Sequence, residues 1–191
     1  MHAVARKGDT RVVQILGGVG DPSAEAHANR LTSRFADLVG GTPVYLPAPG
    51  VLGSAAAHRV LLADSYVREV TALFDQVTTA LVGIGAIEPS KLLASSGNIF
   101  SAHELELLRK EGAVGDVLLR FFDADGKPVN TPLNERVMSM RLDQLGRVDR
   151  SIGVAGGARK YAAILGALRG GWINVLITDQ FTARRLAGEG G

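Results

Sequence analysis

The stretch "SIGVAGGARKYAAILGALRGGWINVLITD" (Ser151–Asp179) decides how the whole chain is read. Its first apolar run stops at Gly156 and Gly157, and Lys160 follows three residues later. Tyr161, Ile164, Leu165 and Leu168 then recur at i, i+3, i+4 and i+7, the period of a helix with one apolar face. Gly170 and Gly171 end that pattern, and "INVLITD" resumes an apolar, β-branched run. A strand, a helix and a second strand in this order make a βαβ unit, and such units build parallel sheets.

The same alternation extends in both directions. "RVVQILGG" (Arg11–Gly18) reads as a strand stopped by glycines. "AEAHANRLTSRFADLVGG" follows, with Ala28, Leu31, Phe35, Leu38 and Val39 on one helical face. "PVYLPAPG" is a short strand ended by prolines and a glycine. Ser54 to Val77 reads as one helix, or as two broken near Asp64–Ser65, burying Val67, Val70, Phe74 and Val77. "TALVGIG" (Thr79–Gly85) is another strand, and "SAHELELLRKEG" is a helix capped at Ser101 and stopped at Gly112. "GDVLLRFFDADGKPV" reads as a strand leading into a turn at Asp125–Gly126. "QFTARRLAG" closes the chain as a helix. The expected architecture is α/β: three αβα layers around a mostly parallel sheet, forming a single domain over residues 1–191 without an internal linker.

Composition narrows the function classes. The chain has 191 residues, 46% hydrophobic and 5% aromatic, enough for a sizeable core. Its 24 glycines cluster at the ends of apolar runs and show no repeat period, against collagen-like or low-complexity readings. No apolar run reaches the ~18 residues of a membrane span, and no signal-peptide core follows "MHAVARKGDTR". With no cysteine, disulfides and thiolate metal sites are excluded, and a cytoplasmic location is expected. The 21 basic and 19 acidic residues are interspersed, so no basic stripe exists to hold DNA.

Three strands end in glycine: at Gly17 and Gly18, at Gly83 and Gly85, and at Gly156 and Gly157. Ligands of open α/β sheets bind outside the carboxyl ends of the strands. Glycine permits close backbone approach, and a lysine on the following turn adds positive charge, as a phosphate or another anion requires. Each such loop has an equally simple reading as a tight turn. Asp116 follows "GAVG" and could accept hydrogen bonds from sugar hydroxyls, or could cap its strand or form an ion pair. His27 and Asn29 could face the same cleft or simply lie on an exposed helix face. The dinucleotide pattern GxGxxG fails, because Ser23 and Glu88 stand where its last glycine belongs. "HELEL" (His103–Leu107) lacks the second histidine of HExxH, and the histidines at 2, 27, 58 and 103 share no ligand spacing. "DADG" (Asp123–Gly126) lacks the remaining ligands of a calcium loop. Neither a metal nor a cofactor is expected.

These blocks, in this order, resemble the effector-binding domains of SorC-family bacterial transcriptional regulators. The similarity lies in "VVQILGGVG", "ANRLTSRFADLVGGTPVYLPAPGV", "ALVGIGAIEPS", "GAVGDVLLRFFDADG", "GVAGGARKYAAILGALRGGWINVLITD" and "TARRLA", which span nearly the whole chain. The resemblance implies the fold type of ribose-5-phosphate isomerases, glucosamine-6-phosphate deaminases and CoA transferases, used for sensing rather than catalysis. It implies a phosphorylated sugar as effector, contacted by Lys160 and Asp116, with the stretches around His27 and after Gly85 lining the rest of the pocket. It implies a homo-oligomer, dimer or tetramer, with an interface near Leu52 to Val70. DNA is contacted in that family by a helix-turn-helix module that this chain does not contain. "HAVAR" (His2–Arg6) resembles the helix that follows the family's first strand and phosphate loop, so the chain is expected to be truncated at its N-terminus. The enzymatic alternative is a sugar-phosphate isomerase or deaminase, with Asp116 drafted for proton transfer and no partner acid or base evident.

Overall fold

A computed structural model describes residues 10–18, 22–87 and 100–188. These group into two compact units. The first holds residues 10–18, 22–76 and Glu135–Ser139; the second holds residues 77–87, Phe100–Asn134 and 140–188.

In the first unit, β1 (Arg11–Val13) pairs in parallel with β2 (Thr42–Val44), with Arg11 opposite Thr42 and Val13 opposite Val44. The crossover between them is α1 (Pro22–Val39), which packs on both strands. Its apolar face differs from the expected one. Ala36 is fully buried and Ala28, Thr32, Ser33 and Val39 partly so, whereas Leu31, Phe35 and Leu38 are 54%, 45% and 67% exposed. Small residues let the helix axis come close to a two-stranded sheet, and the larger side chains are left on its flank. The expected strand over Arg11–Gly18 shortens to three residues. It continues as isolated bridges, Leu16 with Ser139 and Gly18 with Pro49.

The following helical segment is broken at Asp64. This residue ends α2 (Ala55–Ala63) and caps α3 (Ser65–Thr71) through its carboxylate, which accepts from the Tyr66 and Val67 N–H groups. Val67, Val70 and Phe74 are buried as the period requires.

The second unit is built on a five-stranded sheet of order β5-β4-β3-β6-β7. Here β3 is Thr79–Ala86, β4 Gly115–Val117, β5 Arg120–Phe122, β6 Arg150–Val154 and β7 Val175–Ile177. β3, β6 and β7 run parallel, while β4 and β5 are antiparallel additions. Helix α4 (Ala102–Lys110) starts with a capping box, Ser101 and Glu104 exchanging backbone and side-chain hydrogen bonds, and ends before Gly112 at φ 82°. The short α5 (Leu142–Leu145) leads to β6, and α6 (Tyr161–Arg169) returns the chain to β7 by packing over β3 and β4. α7 (Gln180–Leu186) ends the described chain.

Alternate residues of β3, Ala80, Val82 and Ile84, point into a core with Leu108, Val117, Phe122, Ala163, Ile164 and Ala167. The Asp123–Gly126 turn is a hairpin, with Asp123 Oδ1 accepting from Asp125 and Lys127 N–H and Trp172 Nε1 donating to the Gly126 carbonyl. The fold is α/β with a mostly parallel sheet. Among the described residues, no helix is long and apolar enough to cross a membrane.

Candidate functional site

Six of the candidate residues, Gly83, Gly85, Asp116, Gly156, Gly157 and Lys160, fall in the second unit, around the carboxyl ends of β3 and β6. Asp116 lies in β4 directly opposite Gly85 of β3. A Cβ on Gly85 would fall inside the Asp116 carboxylate, so glycine leaves the space in which that carboxylate crosses the neighbouring strand. Asp116 Oδ2 accepts from the Leu119 N–H at 3.0 Å. Part of the residue stays accessible, but its carboxyl group is enclosed, and desolvation pushes it from 3.8 up to about 6. The Leu119 N–H and the positive charge of Lys160 pull the other way without prevailing. A buried carboxyl group poised near 6 can both accept and donate hydrogen bonds to a hydroxylated ligand near neutral pH.

Lys160 is half-buried, and its ammonium donates to the Ile84 carbonyl at 2.7 Å. Ile84 precedes Gly85, so the cation and the Asp116 carboxylate meet at one end of one strand. The backbone of Lys160 belongs to a 3-10 turn, Ala158–Lys160, that opens at Gly157. Gly157 sits at φ 89° and ψ 151°, a conformation that side chains with a Cβ scarcely enter. The Gly156–Gly157 loop approaches a carboxylate of the chain itself. The Gly157 N–H donates to Asp179 Oδ2 at 2.7 Å and to Thr182 Oγ1 at 3.2 Å. A Cβ on Gly156 would collide with the same Asp179 oxygen. Asp179 also caps α7, Oδ1 accepting from the Thr182 N–H at 2.9 Å and Oδ2 from the Thr182 hydroxyl at 2.7 Å. Those Thr182 and Gly157 hydrogen bonds hold the exposed Asp179 carboxyl down to about 2.

The other four candidates belong to the first unit. The Gly17 N–H donates to the Met138 carbonyl and the Gly18 N–H to that of Ala48, each at 2.9 Å. These two glycines therefore serve backbone pairing, and a Cβ on Gly17 would meet Ala48 and Pro49. Asn29 is half-buried on α1. His27 lies on the same helix, and its side chain is outside the described residues, as are positions 88–99 in the stretch after Gly85. Among the described residues, no group of three or more His, Cys, Asp or Glu could hold a metal ion. Glu104 of "HELEL" closes a helix cap. Sequence reading did not single out Asp179, Thr182 or the Leu119 N–H. "TDQFT" does carry a visible signal, an aspartate at a strand end with threonine three residues on, the pattern of a helix cap.

Comparison with known proteins places the chain in a family. The Sugar-bind model, which describes a sugar-binding domain, matches residues 1–187. The deoxyribonucleoside regulator of Bacillus subtilis is 37% identical over 178 residues, covering 93% of this chain and 56% of that protein. The sorbitol operon regulator of Klebsiella pneumoniae is 30% identical over 178 residues, covering 91% and 55%. The crystal structure of the full-length sorbitol operon regulator SorC from Klebsiella pneumoniae superposes with a TM-score of 0.84 at 28% identity, over 95% of this chain and 60% of that one. The chain thus spans about half the length of the curated relatives it matches. It belongs to the family of sugar-binding domains carried by SorC-type transcriptional regulators.

Proposed function

We propose that residues 1–191 act as one effector-sensing domain of a sugar-responsive, cytoplasmic bacterial regulator. The ligand is a phosphorylated sugar, and its binding changes the self-association of the parent protein and its hold on DNA, which is contacted by a separate helix-turn-helix module. The observation that carries this reading is the meeting of Asp116 and Lys160 at the end of β3. A half-buried ammonium suits an anionic group, and an enclosed carboxyl near 6 suits hydroxyls, so the pair matches the two chemical faces of a sugar phosphate. The names of the relatives, a deoxyribonucleoside regulator and a sorbitol operon regulator, fit a sugar-derived signal. Sensing requires saturable binding without turnover.

The test is calorimetry and thermal melting of the chain, alone and within its full-length regulator, against a panel of phosphorylated and unphosphorylated sugars. Ligand at 100 times Kd stabilises the folded state by about 2.7 kcal/mol, visible as a raised Tm. Lys160→Ala should remove the preference for the phosphorylated member of each pair, and Asp116→Ala should weaken both members. Conversion of a bound sugar phosphate to another compound would replace the sensor by the isomerase or deaminase reading.

A further inference from the structure

The geometry points to α7 as a clamp that positions Lys160, with Asp179, Thr182 and Arg185 as its positioning residues. This rests on Lys160 being the anion contact proposed above. Local structure alone does not fix that lysine. Its 3-10 turn is three residues long, has no side-chain cap, and starts at Gly157, whose backbone conformation is open to glycine alone. Two contacts from α7 bracket the turn. On its N-terminal side, Asp179 Oδ2 and Thr182 Oγ1 both take the Gly157 N–H, whose carbonyl in turn accepts from the Lys160 N–H at 3.0 Å. On its C-terminal side, the Arg185 guanidinium lies 3.8 Å from the centre of the Tyr161 ring, the residue after Lys160. Thr182 is 5% exposed and anchors the clamp in the core.

The two oxygens of Asp179 separate this role from ordinary helix capping. Oδ1 serves the cap through the Thr182 N–H, and Oδ2 serves the loop through the Gly157 N–H. Asp179→Asn keeps the first, because asparagine caps helices as well as aspartate. It places an amide NH2, a donor, in front of the Gly157 N–H when its oxygen stays on Thr182.

The experiment compares wild type with Asp179→Asn, Thr182→Ser, Thr182→Val and Arg185→Ala in the 191-residue chain. Three quantities are read: amide exchange at Gly157 and Thr182, the acetylation rate of Lys160, and affinity for ribose 5-phosphate, glucose 6-phosphate and fructose 6-phosphate. Asp179→Asn should speed exchange at Gly157 roughly tenfold while sparing Thr182, raise Lys160 acetylation, and weaken binding roughly tenfold, the value of one charge-assisted hydrogen bond. Thr182→Ser keeps the hydroxyl and should behave as wild type; Thr182→Val and Arg185→Ala should each raise Lys160 acetylation. A freed Gly157 amide with Lys160 reactivity unchanged overturns the clamp and leaves only a cap. If Asp179→Asn unfolds, Thr182→Val and Arg185→Ala decide by the same rate. If no probe binds wild type, either as the 191-residue chain or within its full-length regulator, the proposed ligand class falls, and Lys160 acetylation across the variants still supports or overturns the positioning role.

Discussion

Asp116 and Asp179 are two carboxylates of one unit, each crowding a glycine and each accepting a backbone N–H from a residue at positive φ. Asp116 crowds Gly85 and takes the N–H of Leu119 at φ 60°; Asp179 crowds Gly156 and takes that of Gly157 at φ 89°. Their chemistry diverges because their surroundings do. Asp116 is enclosed and has the Leu119 N–H hydrogen bond to set against its desolvation, so its carboxyl rises to about 6. Asp179 is exposed and collects three, so it falls to about 2. The first titrates near physiological pH and suits a site; the second stays charged throughout and suits a fixture.

The largest expected effect comes from removing the charge of Asp116. Its folded-state value lies above the unfolded 3.8, so its contribution to stability is full below about pH 3.8 and is lost as pH rises through about 6. Asp116→Asn, still able to accept from Leu119, escapes that loss. Relative to the variant, wild type should lose up to about 3 kcal/mol between pH 4 and pH 7. Urea melts of both proteins across that range measure it. An offset that does not change with pH would mean that Asp116 titrates at its ordinary value and that the contrast with Asp179 is false. The same variant should bind sugar phosphates more weakly at neutral pH while being the more stable protein.

Next in size is the space each carboxylate occupies. Gly85→Ala drives a methyl group into the Asp116 carboxylate and should cost about 2 to 3 kcal/mol, with loss of ligand response. Gly157→Ala forces a side chain into φ 89°, ψ 151° and should cost about 2 kcal/mol, as strained backbone conformations do. Chemical denaturation reads both. Asp116→Ala should rescue much of the Gly85→Ala loss, since the collision is with the carboxylate itself. Asp179→Ala should rescue none of the Gly157→Ala loss, since that strain lies in the backbone. Rescue in both cases, or in neither, would break the distinction.

How much of this was readable in advance follows from what each feature leaves in the sequence. The strands of the central sheet, the break at Asp64 and the cap at Ser101 rest on local period and capping chemistry, and their residues announce them. The buried face of α1 does not. Period alone ranks Leu31, Phe35 and Leu38 highest, whereas the packing against β1 and β2 selects the small Ala28, Thr32 and Ala36. At the site, Asp116 and Lys160 stand out by residue type beside glycines, but their proximity depends on β4 pairing antiparallel with β3. Asp179 lies in the very stretch that decides the fold. Its cap is legible as Asp-x-x-Thr, yet its reach to Gly157, 22 residues earlier in the chain, is a tertiary fact.

The turn that makes β4 pair back on β5 was hidden for a physical reason. Val117 pairs with Arg120, so two residues, Leu118 and Leu119, make the hairpin, at φ 56° and 60°. A two-residue turn with both centres at positive φ favours Asn-Gly, and leucine there is strained by its Cβ. The Leu119 N–H bonded to Asp116 is what the strained turn delivers. Leu119→Gly keeps that N–H and removes the strain, while adding some freedom to the unfolded chain. It should stabilise by about 1 kcal/mol, the smallest of these effects, and of opposite sign to Gly157→Ala. Asp116 should still titrate near 6 in the variant, because the hydrogen bond and the enclosure are unchanged. If Leu119→Gly gains stability but returns Asp116 to its ordinary value, the leucine side chain, rather than the strand pairing, encloses the carboxyl. The two aspartates would then differ by what their turns carry, and not by where the sheet places them.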